Sequence, residues 1–449
     1  MLNLVRPTPN QPKCDGTSRR EFLHVGVLTL GGLSLSVLLR ARAAAAAAGR
    51  PTNSKSVILL FLDGGASHIE TFDPKMEAPK EYRCIFGSVK TRIAGVEFCS
   101  LLPKLAERAD RLAVIRTLTH RDGDHGGATH WVKTGHPWPP EALGKAAVIP
   151  QQSPSIGSIV ARYRGPVNDA TGVPTYVRVL SNHGGFPGDD PVWLGQAYAP
   201  FRVGLNRGRD NPMLGNMTLK IEPDRLTDRR TLLRKLDRMD RTLDESGIMR
   251  GMDGFQQQAV NVILGKAKEA FDLSREDDRT RDKYGPGLGQ ELLLARRLCE
   301  AGAGFVTLNY GYWDHHGGIV PGCKQLCPPL DHAVSAYIDD VTQRGLENDI
   351  LLIVMGEFGR TPKINGGPGR DHWAPLGALA MFGGGLKGGQ VVGESDAKAA
   401  FVKTRPVTPQ DIMATIFHVL GIDLQLQYVH PSGRPMYMID EGRPIEELL

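Results

Sequence analysis

The chain carries no basic stripe interleaved with aromatic side chains, which removes nucleic acid as the obvious partner. It has no internal repeat and, one alanine tract apart, no low-complexity segment. Cysteine is scarce: six residues in 449, of which Cys14 falls in an N-terminal segment read below as an export signal. Cys84, Cys99, Cys299, Cys323 and Cys327 remain, an odd number, so at most two intramolecular bridges can form in an oxidising compartment. Cys323 and Cys327 flank KQL in a Gly/Pro-rich stretch read as a loop and could pair. Cys299 lies in the helical stretch QELLLARRLCEAG and reads as a buried thiol.

Residues 18–48 carry the paired Arg19 and Arg20, an apolar run from Phe22 to Leu39 broken by Gly31 and Gly32, and A-x-A sites within Ala43 to Ala48. This pattern is a twin-arginine export signal, and the run is short and glycine-broken for a membrane anchor. The expectation is a chain exported already folded, through the twin-arginine translocation machinery, to the periplasm or the extracellular space. No stable membrane span is expected in the mature chain, and folding before export often accompanies loading of a metal or cofactor. Removing 1–48 takes away six Lys/Arg and two Asp/Glu, so 54 − 6 = 48 basic side chains face 49 − 2 = 47 acidic ones. The basicity therefore belongs to the signal.

Residues 49–449, with 41% hydrophobic content over the whole chain, can bury a large core. Apolar runs at Val57 to Leu62, Leu112 to Thr117, Thr175 to Leu180, Phe305 to Asn309, Ile350 to Met355 and Ala378 to Phe382 alternate with helical segments. That alternation predicts an α/β fold: a mostly parallel central sheet with helices on both faces. A charged helical insertion is expected over about 222–285, with Leu226, Leu233, Leu236 and Leu243 on one face. Four of the runs end in polar motifs, DGGASH, THRDGDHGG, YGYWDHHGG and GEFGRTP. In open α/β sheets ligands bind beyond the carboxyl ends of the strands, so these loops should converge.

Asp63 ends the first strand before Gly64 and Gly65, and could enter a crevice or simply cap a turn. Asp314 and His316, two apart, project to one face of an extended segment and could share a divalent ion or form a plain Asp-His pair, with His315 pointing away. Glu357 follows the most apolar strand, where a carboxylate needs a cation or a partner such as Arg360. His372 lies in the glycine-rich GGPGRDHW, with Asp371 as a neighbour able to orient a ligand. The segment HRDGDHGGATH holds His120, Asp122, Asp124, His125 and His130, and reads either as chemistry or as a turn held by Asx hydrogen bonds. Ser67, Thr117 and Thr119 are candidate nucleophiles that could equally be capping or loop hydroxyls, whereas His68 and His183 read as satisfying local backbone groups.

The motifs LFLDGGASHIETFDPK, YWDHHGG, GEFGRTP, GRDHW and the TG of WVKTGHP resemble the alkaline phosphatase and sulfatase superfamily. The similarity is narrowest to a twin-arginine-exported, sulfatase-like branch of unknown function common in planctomycete bacteria. It implies metal ligands at strand ends: Asp63 in the first-strand position, Asp314 and His316 as the middle pair, Glu357 as the later acid and His372 as the final histidine. It further implies a divalent metal, zinc or manganese suiting mixed His and carboxylate donors better than calcium, and hydrolysis of phosphate or sulfate esters. The partner would then be an anionic small-molecule or polysaccharide ester, with Arg360 neutralising the anion. The alternative is an inactive relative that binds an anionic glycan. The chain departs from the pattern where Phe358 replaces a histidine, where the middle pair is closely spaced, and where no Cys-x-Pro-x-Arg occurs, which disfavours formylglycine chemistry. Aligning the TG of WVKTGHP with the sulfatase LTG motif sets His125 at the nucleophile position, as a substitute ligand, a nucleophile or a general acid.

Overall fold

A strand flanked on both sides by parallel neighbours must be apolar on both faces, and Ser56–Phe61 (β1) meets that demand with every residue buried. The structure, a computed structural model, describes residues 54–138, 151–180, 188–205 and 267–449. The expected signal over 1–48, the greater part of the charged insertion (222–266) and His183 lie outside the described residues.

The main sheet has eight strands: β1, Ala113–Leu118 (β2), Tyr176–Leu180 (β3), Phe201–Gly204 (β4), Phe305–Asn309 (β5), Ile350–Met355 (β6), Gly377–Gly383 (β7) and Gln390–Val392 (β8). Their spatial order is β8-β2-β7-β6-β1-β5-β3-β4. All pairings are parallel except those of β7, which runs against both β2 and β6. The six apolar runs of the sequence are all strands of this sheet. The two edge strands, β4 and β8, are too short and too mixed in polarity to have stood out.

Alternation along each strand feeds two cores. Ile58, Leu60, Val306, Leu308, Leu352 and Val354 face helices Leu288–Glu300 (α3) and Ile319–Gln343 (α4). Val57, Leu59, Phe61, Phe305, Leu351 and Ile353 face His125–Thr134 (α1), Ile156–Arg164 (α2) and Pro409–Leu420 (α5). Helix α4 corrects the sequence reading, because the Gly/Pro-rich stretch around Cys323 and Cys327 is helical despite Pro328 and Pro329. Burial of Cys323, Cys327, Leu330, Val334 and Ile338 along one side overrides the local helix-breaking tendency. Among the described residues no helix is long and apolar enough to cross a membrane.

The topology gathers the polar motifs at one edge. Strands β1, β2, β5 and β6 point their carboxyl ends to the same side, and the antiparallel β7 starts there, so the loop before it, carrying His372, meets the loops after the others.

Candidate metal centre at the strand ends

Each approach to the centre is shaped locally. Asp124 caps α1, its carboxylate accepting from the amides of Gly126 and Gly127, and this sets His125 as the first residue of the helix. An Asx-type turn is thus present, and it serves to place His125. Gly64, at φ +97°, lets the loop after β1 press against the main chain of Asp314, where a Cβ would come within 2.9 Å of its amide nitrogen. The Asp63 carbonyl accepts from the amide of Trp313 at 2.8 Å, which ties the two loops together.

The ligand atoms of His125, Asp314 and His372 all lie within 4.8 Å of one another. Asp314 is the hub. Its Oδ1 lies 3.1 Å from His372 Nε2 and 3.0 Å from His316 Nε2, while Oδ2 lies 3.3 Å from His125 Nε2. These separations match the edges of a tetrahedron with metal–ligand bonds of about 2.0–2.1 Å. The outer nitrogens are held by oxygens: His125 Nδ1 by Glu357 Oε1 at 2.6 Å, His316 Nδ1 by Asp371 Oδ1 at 2.6 Å, and His372 Nδ1 by the Gly123 carbonyl at 2.7 Å. A carbonyl only accepts, so His372 donates from Nδ1 and, when neutral, presents a lone pair at Nε2. The Nε2 atoms of His316 and His372 then face each other at 3.0 Å. Opposed lone pairs around a carboxylate are what a cation relieves.

Charge at the centre is strongly coupled. Burial alone would lower the pKa of His125, but hydrogen bonds to Asp314 and Glu357 carry it up to about 9. Burial opposes ionisation of Asp314 too, yet His125, His372 and Arg360 hold its carboxyl well below the usual carboxylate range. Glu357 is fully buried, with Oε1 accepting from Gly64 N and facing His125, while Oε2 has no hydrogen-bond partner among the described residues. Phe358 lines the opposite wall, its ring centroid 5.1 Å from that of His125 and 4.8 Å from that of His372.

Residues 54–449 match the family model described as a protein of unknown function (DUF1501). The chain belongs to that family. No curated protein matches it. Solved structures similar to this DUF1501 chain include a sulfatase from Pseudoalteromonas sp. (13% identity, 91% of this chain and 74% of that one covered, TM-score 0.39). Others are a phosphonate monoester hydrolase from Silicibacter pomeroyi (12%, 87% and 76%, TM-score 0.38) and an alkaline phosphatase from the Antarctic bacterium TAB5 (13%, 83% and 99%, TM-score 0.33).

Of the residues expected to bind metal in this DUF1501 chain, Asp314 and His372 fall within the tight group, joined by His125, and His316 stands beside them. Glu357 touches the group through His125. Asp63 is buried at the same strand end, its carboxylate outside the 4.8 Å group. His315 turns away, against Gly322. Arg360 is 1% exposed and donates to the carbonyls of Gly64, Gly65 and Arg370 and, at 2.6 Å, to Asp314. It faces protein, orients Asp314 and does not pair with Glu357, so neutralising a substrate anion is not what this geometry equips it for. Ser67 is committed to Glu70 at 2.5 Å and Thr117 to the Arg405 carbonyl at 2.6 Å, while Thr119 stays half-buried after β2. His68 serves the backbone, through the Ala399 carbonyl and the Arg360 amide. His120 does likewise: Nε2 meets the Glu357 carbonyl at 2.6 Å, and burial pushes its pKa down to about 4.

Asn365, Tyr312 and the Gly123 carbonyl escaped the sequence reading. Asp371, read from the sequence as able to orient a ligand, orients His316, and Asn365 steadies it by donating to Asp371 Oδ1 at 3.1 Å. Tyr312, 53% exposed, places its hydroxyl 3.3 Å from Asp314 Oδ2. The Gly123 carbonyl is main chain, so no side-chain signal could have marked it.

Proposed function

We propose that this chain is an exported metal-dependent hydrolase of phosphate or sulfate esters. The observation behind this reading is the convergence of His125, His316 and His372, each with Nδ1 held by an oxygen, upon Asp314. Nitrogen donors beside a carboxylate, together with the buried Glu357 Oε2, which lacks a hydrogen-bond partner among the described residues, suit a divalent cation, zinc or manganese better than calcium. His125, Asp314 and His372 would hold it, with His316 at the exposed side. When bound, such an ion supplies Lewis acidity to an ester oxygen and acidifies an adjacent water.

The protein's own groups do the rest. Glu357 holds His125 through Nδ1, Asp371 holds His316, and Arg360 fixes Asp314 from below. Tyr312 stands at the mouth, its hydroxyl able to donate toward a bound oxyanion. His316 is 47% exposed, so the centre opens to solvent and admits an anionic ester carried on a small molecule or on a polysaccharide. We place the mature protein in the periplasm or outside the cell.

A second reading, a binding protein for anionic glycans, is favoured by one observation: the hydroxyls of Ser67 and Thr117 are both engaged and neither faces the centre as a nucleophile. Metal analysis of protein purified without chelator, with a screen of aryl phosphates, phosphodiesters and aryl sulfates, tests both. Stoichiometric metal with turnover abolished by Asp314→Ala supports the hydrolase. Metal with glycan binding but no turnover supports the binding protein, and absence of metal overturns both.

A further inference from the structure

We propose that Cys84 and Cys99 form a disulfide in the mature protein, a crosslink closing the hairpin Ser88–Lys90/Glu97–Cys99 onto the segment before it, while Cys323 and Cys327 stay reduced. Both members of the pair lie in one small apolar cluster with Ile69, Leu376 and Ala399, at 3% and 0% exposure. Their main chains are pinned to the same short stretch: the Cys84 amide donates to the Pro74 carbonyl and the Cys99 amide to the Thr71 carbonyl, each at 2.8 Å. The hairpin closes the other side. Ser88 opposes Cys99 in register, the Gly87 amide donates to the Cys84 carbonyl, and the Ser100 amide donates to the Gly87 carbonyl. The Cys84 thiol lies against that of Cys99 within this cluster.

A disulfide requires Cβ atoms about 3.5–4.5 Å apart. Cys84, in a loop, and Cys99, at the end of a short strand, share one apolar cluster and are not held apart by a common helix, so side-chain rotation can bring them to that spacing. Cys323 and Cys327 also touch, but they stand four residues apart on α4, where Cβ atoms are held about 5–6 Å apart by the helix itself. Bridging them would break the helix that fills the core. Cys299 sits on α3 against Ser56. One bridge, one reduced pair and one single thiol thus account for the odd cysteine number.

The oxidant is a small disulfide or a dithiol oxidase of the exporting compartment. The Cys84 thiolate, the slightly more accessible of the two, attacks the disulfide and expels one thiol. The Cys99 thiolate then displaces the second, so two protein thiols become one disulfide and one external disulfide becomes two thiols. Contact with Cys99, together with burial, pushes the Cys84 thiol far up, so the reaction in the folded chain is slow.

The test incubates the mature chain with oxidised glutathione at pH 8.5 and maps it by non-reducing digestion and mass spectrometry. A Cys84–Cys99 crosslinked peptide is expected, absent in Cys84→Ser, with Cys323 and Cys327 alkylated. The oxidised wild type should melt about 2–5 °C above the reduced form, and a Cys84→Ser/Cys99→Ser variant should lose that difference. Recovery of both Cys84 and Cys99 as alkylated thiols after oxidation, or a Cys323–Cys327 bridge, overturns the proposal. The wild-type map decides the matter even if the variants fold poorly.

Discussion

Asp371 acts on the centre only through His316, which makes it a clean probe of ligand orientation. Its side chain is half exposed and bears on no core residue, so Asp371→Ala should leave stability within about 0.5 kcal/mol of wild type. Metal affinity should nevertheless fall about 10–100-fold, as for other groups that orient a ligating histidine; titration calorimetry checks this, and unchanged affinity would show that His316 is no ligand. His130 carries a different signature. Its Nδ1 faces the His136 carbonyl while Nε2 accepts from the amides of Gln152 and Ser153, so the native state wants it neutral, and burial lowers its pKa to about 4. The unfolded chain takes the proton near 6.5 and the folded chain does not. Stability is therefore whole above about pH 6.5 and is lost as pH falls toward 4, by up to about 3 kcal/mol for this residue. Urea midpoints from pH 7.5 to 4.5 should decline, and His130→Gln should flatten part of that decline; an identical slope in the variant would exclude the assignment.

Helices α3 and α4 are joined by charge as well as by leucines. Arg296, fully buried on α3, pairs with Glu276 at 2.9 Å, with Asp340 at 3.1 Å and with Glu300, while Arg344 meets Glu276 and Asp340 at 3.0 Å each. Tyr284 adds a hydroxyl donor to Asp340 at 2.8 Å. Removing one member leaves the others buried without compensation. Arg296→Met should cost about 3–5 kcal/mol, far more than a surface pair, and should leave metal content per folded molecule unchanged. Denaturant melts combined with metal analysis of the soluble fraction measure both, and a loss below about 1 kcal/mol would mean that the network relaxes around the vacancy. The elements also explain what the sequence could disclose. The six central strands were visible because burial on both faces demands unbroken apolar runs such as ILLIVM. Helix α4 was hidden, because Pro328 and Pro329 speak locally against a helix that only tertiary burial sustains. Asp63, Asp314 and Glu357 were legible as acids following apolar runs and His372 as a histidine in a glycine-rich loop, whereas the partnership of His316 with Asp371 and the inward seat of Arg360 depend on loop conformation that no spacing encodes.

At the scale of the whole molecule, the first strand is also the central one. Strand β1 pairs with β5 and β6, whose residues lie some 250 to 300 positions later, in the registers Val57↔Phe305 and Val57↔Leu351. The candidate metal group draws on residues 125, 314 and 372, so it exists only after those long-range pairings have formed. Non-local pairing is slow, and a chain threaded through a membrane unfolded would have to complete it where cytoplasmic metal loading is no longer possible. The proposed export of the folded, loaded chain would avoid that order of events, and the paired arginines at 19 and 20 are the sequence feature that motivates it. Replacing Arg19 and Arg20 by lysine should therefore leave precursor in the cytoplasm, folded and still holding metal, as cell fractionation with metal analysis would record. Normal export of that variant would refute the twin-arginine reading, and retained precursor without metal would separate loading from the export route.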